Sequence, residues 1–280
     1  MRRSIRVADR DFIQHKHYEM KRIHIFFVLV AMLLGQPTRA ADWPEFLGPN
    51  RDNTSPETGL IDVIPAGGLK PVWARRVGAG YSAPSIRGEI MVFFHRVGGE
   101  ETIEACHPGT GAKRWKYSYT TSYIDPFGYN NGPRCTPLLT TDRCYTFGAE
   151  GVLLCLDLAT GKLIWRRDVL REFEVAEAFF GVGSTPVLED GRLFVIVGGQ
   201  PNSAIVAFDA VTGKTIWENV GEKTWTGVPM TGVGWPSGRT VRWNRADPIF
   251  EKQASYCSPV LADIHGKRHL LCVTGQGLVS

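Results

Sequence analysis

The sequence lacks a hydrophobic run long enough to cross a bilayer, which takes about 20 apolar residues. Its longest apolar stretch, residues 23–34 (Ile-His-Ile-Phe-Phe-Val-Leu-Val-Ala-Met-Leu-Leu), has 12. The body of the chain also lacks a cationic surplus. Of the formal charge of +4, residues 1–40 hold eight Lys/Arg and three Asp/Glu, leaving 24 against 25 and a net of −1 for residues 41–280. Without a positive field, nucleic acid and anionic membrane surfaces are poor candidates as main partners. None of the six cysteines falls in a C-x-x-C or C-x-x-C-H arrangement, so zinc-ribbon, thioredoxin-type and c-haem readings lose their usual support. No G-x-S-x-G or other nucleophile motif occurs, and helix-length periodicity is missing apart from a weak candidate at residues 169–180. With 43% apolar and 21% charged residues, 31 glycines, 17 prolines and 8 tryptophans, the composition is that of a globular chain with a sizeable core.

The short apolar stretch follows Lys21 and Arg22 and precedes Gly35, Pro37 and the Thr38-Arg39-Ala40 tripeptide. That order reads as a secretory signal peptide within a leader of residues 1–40. Met20 stands directly before the basic pair, so the signal proper is expected over residues 20–40, with cleavage after Ala40. No cysteine near that point can accept a lipid. The expected mature protein is exported to the periplasm or beyond, with no stable membrane span. In such a compartment Cys106, Cys135, Cys144, Cys155, Cys257 and Cys272 could form up to three disulfides in 15 connectivities, or remain buried thiols. Cys257 and Cys272 would be neighbours if the segments around Pro259 and Leu271 form a hairpin.

Self-similarity is the most informative feature. Cys106-His107-Pro108-Gly109-Thr110-Gly111-Ala112-Lys113-Arg114-Trp115 aligns without gaps with residues 156–165 and 208–217. Each segment places the Gly of a Thr-Gly pair four residues before a Trp. From Trp73 the Trp-to-Trp steps to Trp115, Trp165 and Trp217 are 42, 50 and 52 residues, the period of a four-stranded propeller blade. Asp157 and Asp209 can cap a turn, and Gly161 and Gly213 can take the positive φ of a short hairpin connection. Ahead of each turn runs a β-branched or alternating segment such as Arg192-Leu193-Phe194-Val195-Ile196-Val197. A second mark, Ser82-Ala83-Pro84, Cys135-Thr136-Pro137, Ser184-Thr185-Pro186 and Cys257-Ser258-Pro259, fits the start of an innermost strand, where proline is tolerated. The expected fold is all-β. After an opening segment (41–70) come propeller repeats over 71–280: three units, roughly 71–115, 133–165 and 182–217, and a fourth begun at 255.

At these residues the chain resembles the pyrroloquinoline-quinone-repeat family of β-propellers, whose blade ends in a D-x-x-T-G-K-x-x-W tryptophan docking motif. Units two and three match closely, whereas unit one has His107 in place of the Asp and Ala112 in place of the Lys, so a looser turn is expected there. Trp43-Pro44-Glu45-Phe46-Leu47-Gly48-Pro49-Asn50-Arg51 is similar to the opening of secreted family members that lack demonstrated dehydrogenase chemistry. The resemblance implies that Trp73, Trp115, Trp165 and Trp217 wedge between blades, and that a full ring has six to eight of them. Three and a half blades therefore read as a chain truncated at its C-terminus, or as one completed by a second chain.

Four-stranded blades place the Thr-Gly turns on one face and the inter-blade links on the other. From motif Trp to the next strand-opening Pro the links run 22, 21 and 42 residues. The long third link carries Trp225, Trp235 and Trp243, and the first carries Tyr119, Tyr123, Phe127 and Tyr129. Aromatic loops on a rigid scaffold suit a ligand or partner surface. The function expected is an exported, non-catalytic scaffold binding a protein, polysaccharide or small ligand on this face, similar to the propeller subunit of the outer-membrane β-barrel assembly machinery. No cofactor, metal or catalytic residue is expected. The alternative is a quinoprotein alcohol or sugar dehydrogenase using pyrroloquinoline quinone and calcium. Its adjacent-cysteine signature is missing, and no carboxylate and Asn ligand set maps onto this sequence. The histidines at 265 and 269 read as a hairpin turn, and Gly78-Ala79-Gly80 and Gly181-Val182-Gly183 as backbone turns.

Overall fold

The computed structural model describes residues 40–173, 175, 181–199, 203–219, 256–274 and 277–280. The leader, apart from Ala40, and Trp225, Trp235 and Trp243 lie outside the described residues. The chain divides into two compact units, Met1–Ala41 and Asp42–Ser280, and every described strand belongs to the second. The fold is all-β, with four antiparallel sheets in sequence order. The first holds β1 (Ser85–Arg87), β2 (Ile90–Val97), β3 (Glu100–Cys106) and β4 (Lys113–Thr120). The second holds β5 (Leu138–Leu139), β6 (Arg143–Phe147), β7 (Val152–Asp157) and β8 (Leu163–Asp168). The third holds β9 (Val187–Glu189), β10 (Arg192–Gly199), β11 (Ser203–Asp209) and β12 (Thr215–Asn219). The fourth has three strands, β13 (Val260–Ile264), β14 (Lys267–Thr274) and β15 (Gly277–Val279). The helical periodicity at 169–180 yields one turn among the described residues, α1 (Val169–Glu172).

Each sheet is a blade packed on the next. Val92, Phe94, Ile103 and Trp115 of the first meet Leu139, Val152, Leu154 and Leu156 of the second. From the opposite face of the second, Leu138, Tyr145, Phe147, Leu153 and Trp165 meet Leu193, Val195, Val206 and Phe208 of the third. Ile196 and Ile205 then meet Cys272 of the fourth. Because side chains alternate along a strand, Leu154 and Leu156 serve one seam while Leu153 and Cys155 serve the other. That double burial explains the unbroken apolar run of β7.

The tryptophans join the blades in one direction. The Trp115 indole donates to the Leu158 carbonyl at 2.8 Å and the Trp165 indole to the Ala210 carbonyl at 3.1 Å, each in the following blade. Trp73 does the same to Pro108, at 2.7 Å, in the first blade. The first sheet begins at Ser85, so Trp73 lies outside it, and the segment that carries it touches the sheet through Trp73, Gly78 and the Ala79–Arg96 bridge. Trp217 is 37% exposed and packs on Phe194 of its own sheet. A β-bulge recurs at each motif, where Ala105, Cys155 and Ala207 face the Trp and the ladder then skips Arg114, Ile164 and Ile216.

The first turn is not looser than the others. His107 N–H donates to Ala112 at 2.8 Å and Gly111 N–H to the His107 carbonyl at 2.8 Å, matching the Asp157–Lys162 and Asp209–Lys214 turns. His107 Nδ1 accepts the Gly109 amide at 3.0 Å, so the imidazole does the capping that Asp157 and Asp209 do for the Thr160 and Thr212 amides. Hydrogen bonds from those threonines hold both aspartates below the usual carboxylate range. All six cysteines are free thiols. Cys272 is buried in its seam and Cys257 is exposed, so the expected hairpin places them in adjoining segments without joining them.

Candidate functional site

The two faces of the blade stack are dressed differently. On the Thr-Gly face, the opening segment crosses the ends of the inner strands. Trp43 pairs with Ile86 of β1 through bonds of 2.9 and 2.8 Å, and the Pro44 carbonyl accepts the Leu139 amide of β5 at 2.7 Å. Arg51 donates to the Leu188 carbonyl of β9 at 2.9 Å and pairs with Glu45 and Glu189. Phe46 and Leu47 close on Val187 and Val260. Leu47, Arg51 and Asn53 all hold positive φ, a strain that persists only where surrounding contacts over-determine it. This strap covers the inner ends of all four blades on the Thr-Gly face and leaves the opposite face to the long links. At the link-facing ends, hydroxyls tie the inner strands together. The Thr136 amide donates to Thr185 Oγ1 at 3.2 Å, and the Thr185 amide to Ser258 Oγ at 2.9 Å.

On the long-link face, the seam between the first two blades opens into a depression of ≈ 370 Å³ lined by Thr120, Glu150, Val152, Arg166, Asp168, Leu170, Arg171 and Val175. Its position follows from local sequence. Gly151 has φ +83, and a Cβ there would meet Leu170 at 2.4 Å, so only glycine lets α1 settle on the β6–β7 turn. The Val169 amide donates to the Gly151 carbonyl at 2.9 Å and anchors that contact. Val152, Leu170 and Val175 make the floor apolar, while Arg166 and Arg171 stand on the rim. Arg166 lies over the Tyr119 ring, 5.3 Å from its centroid. Among the described residues neither arginine is ion-paired. Glu150 is already saturated: its carboxylate accepts from the Thr121 hydroxyl at 2.7 Å and from the Ser122 hydroxyl at 2.6 Å and amide at 3.1 Å. Burial opposes its ionisation, but those donors outweigh it and hold its pKa below the usual value.

Beneath the depression lies a buried carboxyl that sequence reasoning missed. Glu101 is fully buried, accepts the Ala149 amide at 2.9 Å and receives a short hydrogen bond from the Tyr119 hydroxyl. A Cβ at Gly148 would sit 2.1 Å from both partners, so that glycine makes room for the pair. Burial is the main cause pushing the Glu101 carboxyl and the Tyr119 hydroxyl upward. Nothing in the spacing of residues 101, 119 and 148 announces the joint, because blade stacking alone brings them together.

Among the described residues no three His, Cys, Asp or Glu side chains converge as a metal-binding group, and the sequence has no adjacent cysteines. His265 and Gly266 form the β13–β14 turn. No helix among the described residues is long and apolar enough to cross a membrane.

A stack of antiparallel blades in which Trp115 and Trp165 each dock on the following blade defines a β-propeller of the tryptophan-docked type. The family model described as outer membrane protein assembly factor BamB matches residues 99–242, just over half of the chain, and the chain belongs to this pyrroloquinoline-quinone-repeat family. Among solved structures it is similar to the quinohemoprotein alcohol dehydrogenase from Comamonas testosteroni (23% identity, 63% of this chain and 27% of that one, TM-score 0.43). It is similar also to a europium-containing methanol dehydrogenase (17%, 51% and 25%, TM-score 0.37) and to BamB from Moraxella catarrhalis (18%, 53% and 65%, TM-score 0.23). The chain thus spans about a quarter of the length of these two dehydrogenases. No curated protein matches it at a significant level.

Proposed function

We propose that the chain is an exported, non-catalytic propeller scaffold that holds an extended segment of a protein partner in the depression between its first two blades. The observation that carries this reading is the pairing of an apolar floor, Val152, Leu170 and Val175, with the unpaired guanidinium groups of Arg166 and Arg171 on its rim. Such a surface suits an apolar side chain beside a carboxylate, and Arg166 is held ready by stacking on Tyr119. The family description, outer membrane protein assembly factor, supports a partner in an envelope assembly.

A photo-crosslinking residue at Arg171 in the producing cell tests this. A discrete adduct with one envelope protein, lost on Leu170→Glu, is expected. Adducts indistinguishable from those of an exposed control position, Lys113, would overturn the reading. So would dye-coupled oxidation of an alcohol or sugar by the purified chain supplied with calcium and the quinone.

A further inference from the structure

We infer, on the reading of the seam depression as a seat for a protein segment, that its occupant is a second copy of this chain, inserted by the exposed tongue between the strap and Trp73. Residues 58–72 are all exposed, yet they are rich in large aliphatic side chains. Leu60 is 69% exposed, Val63 79%, Ile64 67%, Leu69 62% and Val72 87%. So dense a run of aliphatic groups turned to water marks a contact made with another molecule. The tip of the tongue is shaped locally. The Gly68 amide donates to the Pro65 carbonyl at 2.8 Å, and Gly68 takes the positive φ of +74 that closes this turn. Val63 and Ile64 lead into the turn and Leu69 leads out of it, with Asp62 and Lys70 directly behind them.

The depression is the counterpart of that tip. Its floor of Val152, Leu170 and Val175 takes aliphatic groups, and its rim carries both signs, Arg166 and Arg171 beside Asp168. Asp62 complements the two arginines and Lys70 complements Asp168. Among the described residues none of these five charges is ion-paired. Residues 41–280 carry a net charge of −1, so copies approach without strong repulsion. Both ends of the tongue are fixed on the Thr-Gly face, by Arg51 on the Leu188 carbonyl and by Trp73 on the Pro108 carbonyl, whereas the depression opens on the long-link face. Tongue and seat are thus rooted on opposite faces of one chain. Their contact joins different copies head to tail, an arrangement that grows instead of stopping at a two-fold dimer.

Sedimentation velocity of the full chain across the micromolar range is expected to show association that passes beyond the dimer. Ile64→Asp on the tongue and Arg171→Asp on the rim, both at exposed positions, should each weaken it about tenfold with Tm unchanged. Mixed together, these two variants form a one-to-one complex and nothing larger, because one keeps its seat and the other its tongue. A chain that stays monomeric, a closed dimer, or two variants that remain apart on mixing overturns the inference. The crosslinker at Arg171 separates this outcome from the reading of the depression itself. An adduct of twice the chain's mass, lost on Ile64→Asp, supports both. A discrete adduct with a different protein, indifferent to Ile64→Asp, upholds the seat and overturns self-association, whereas the absence of any discrete adduct overturns both.

Discussion

Trp115 and Gly161 lie in different blades, and a Cβ at position 161 would sit 2.5 Å from the Trp115 ring. The glycine thus meets two demands at once, a φ of +71 for its own turn and a flat seat for the neighbour's indole. Gly111 under Trp73 and Gly213 under Trp165 repeat the arrangement at 2.8 and 2.7 Å. The Thr-Gly pair and the tryptophan of one motif therefore act in successive seams, never in the same one.

Truncating a docked tryptophan should cost far more than truncating Trp217. Trp115→Ala empties a buried seat and loses the bond to Leu158, for about 3–5 kcal/mol. Gly161→Ala forces a clash and a strained φ, for about 1–3 kcal/mol. Trp217 is 37% exposed, so Trp217→Ala should lose much less. Urea denaturation of the three variants checks the order, and an equal loss at 115 and 217 would contradict the seam geometry.

His95 should make the fold acid-sensitive. Its Nδ1 accepts the Gly78 amide at 2.7 Å, which requires an imidazole unprotonated at that atom. Burial lowers its pKa, Glu104 at 3.7 Å partly offsets this, and Lys116 and Arg75 add to the lowering. A depressed folded-state value means that stability is intact above the unfolded value of about 6.5 and is lost as pH falls below it. Denaturation free energies measured between about pH 7 and 5 should fall for the wild type and fall less for His95→Gln. Parallel curves would refute this role for His95.

Glu101 should act with the opposite sign. Its folded-state pKa is raised, chiefly by burial, so its stabilising contribution is complete below the unfolded value of about 4.3 and is lost as pH rises through the folded one. Glu101→Gln keeps an acceptor for the Tyr119 hydroxyl and cannot ionise. It should remove that downward slope on the acid side of neutrality, with little change at the lowest pH at which the chain stays folded. A slope unchanged in Glu101→Gln would show that another group titrates.

The repeat was legible because its marks are local: Thr-Gly, Trp and strand-opening Pro recur along the chain at the spacing of one blade. The seams were not, since Glu101, Tyr119 and Gly148 converge only after β3, β4 and the β6–β7 turn stack. His107 shows the limit of motif matching. It departs from the aspartate pattern, yet its Nδ1 offers the acceptor the turn needs. The recurring bulge at Arg114, Ile164 and Ile216 was implicit in the constant Gly-to-Trp spacing, but only cross-strand register reveals which residue is skipped. The apolar residues of the opening segment similarly gave no hint that Trp43, Pro44 and Arg51 each address a different blade.

The strap is the feature whose removal has the most local and therefore most readable effect. Arg51 holds a positive φ of 57 while bonding to Leu188 and pairing with Glu45 and Glu189, and Glu189 also binds Arg268 of β14 at 2.7 Å. Arg51→Ala leaves the Leu188 carbonyl without that donor and frees the segment, but it does not touch the tryptophan seams. The expected outcome is a modest loss of global stability, about 1–2 kcal/mol. Amide exchange should quicken selectively at Ile86 and Leu139, whose N–H groups donate to the strap, while the β7 amides stay protected. Uniform acceleration across all blades would mean that the segment supports the whole stack, and no acceleration at Leu139 would mean that Arg51 does not hold it in place.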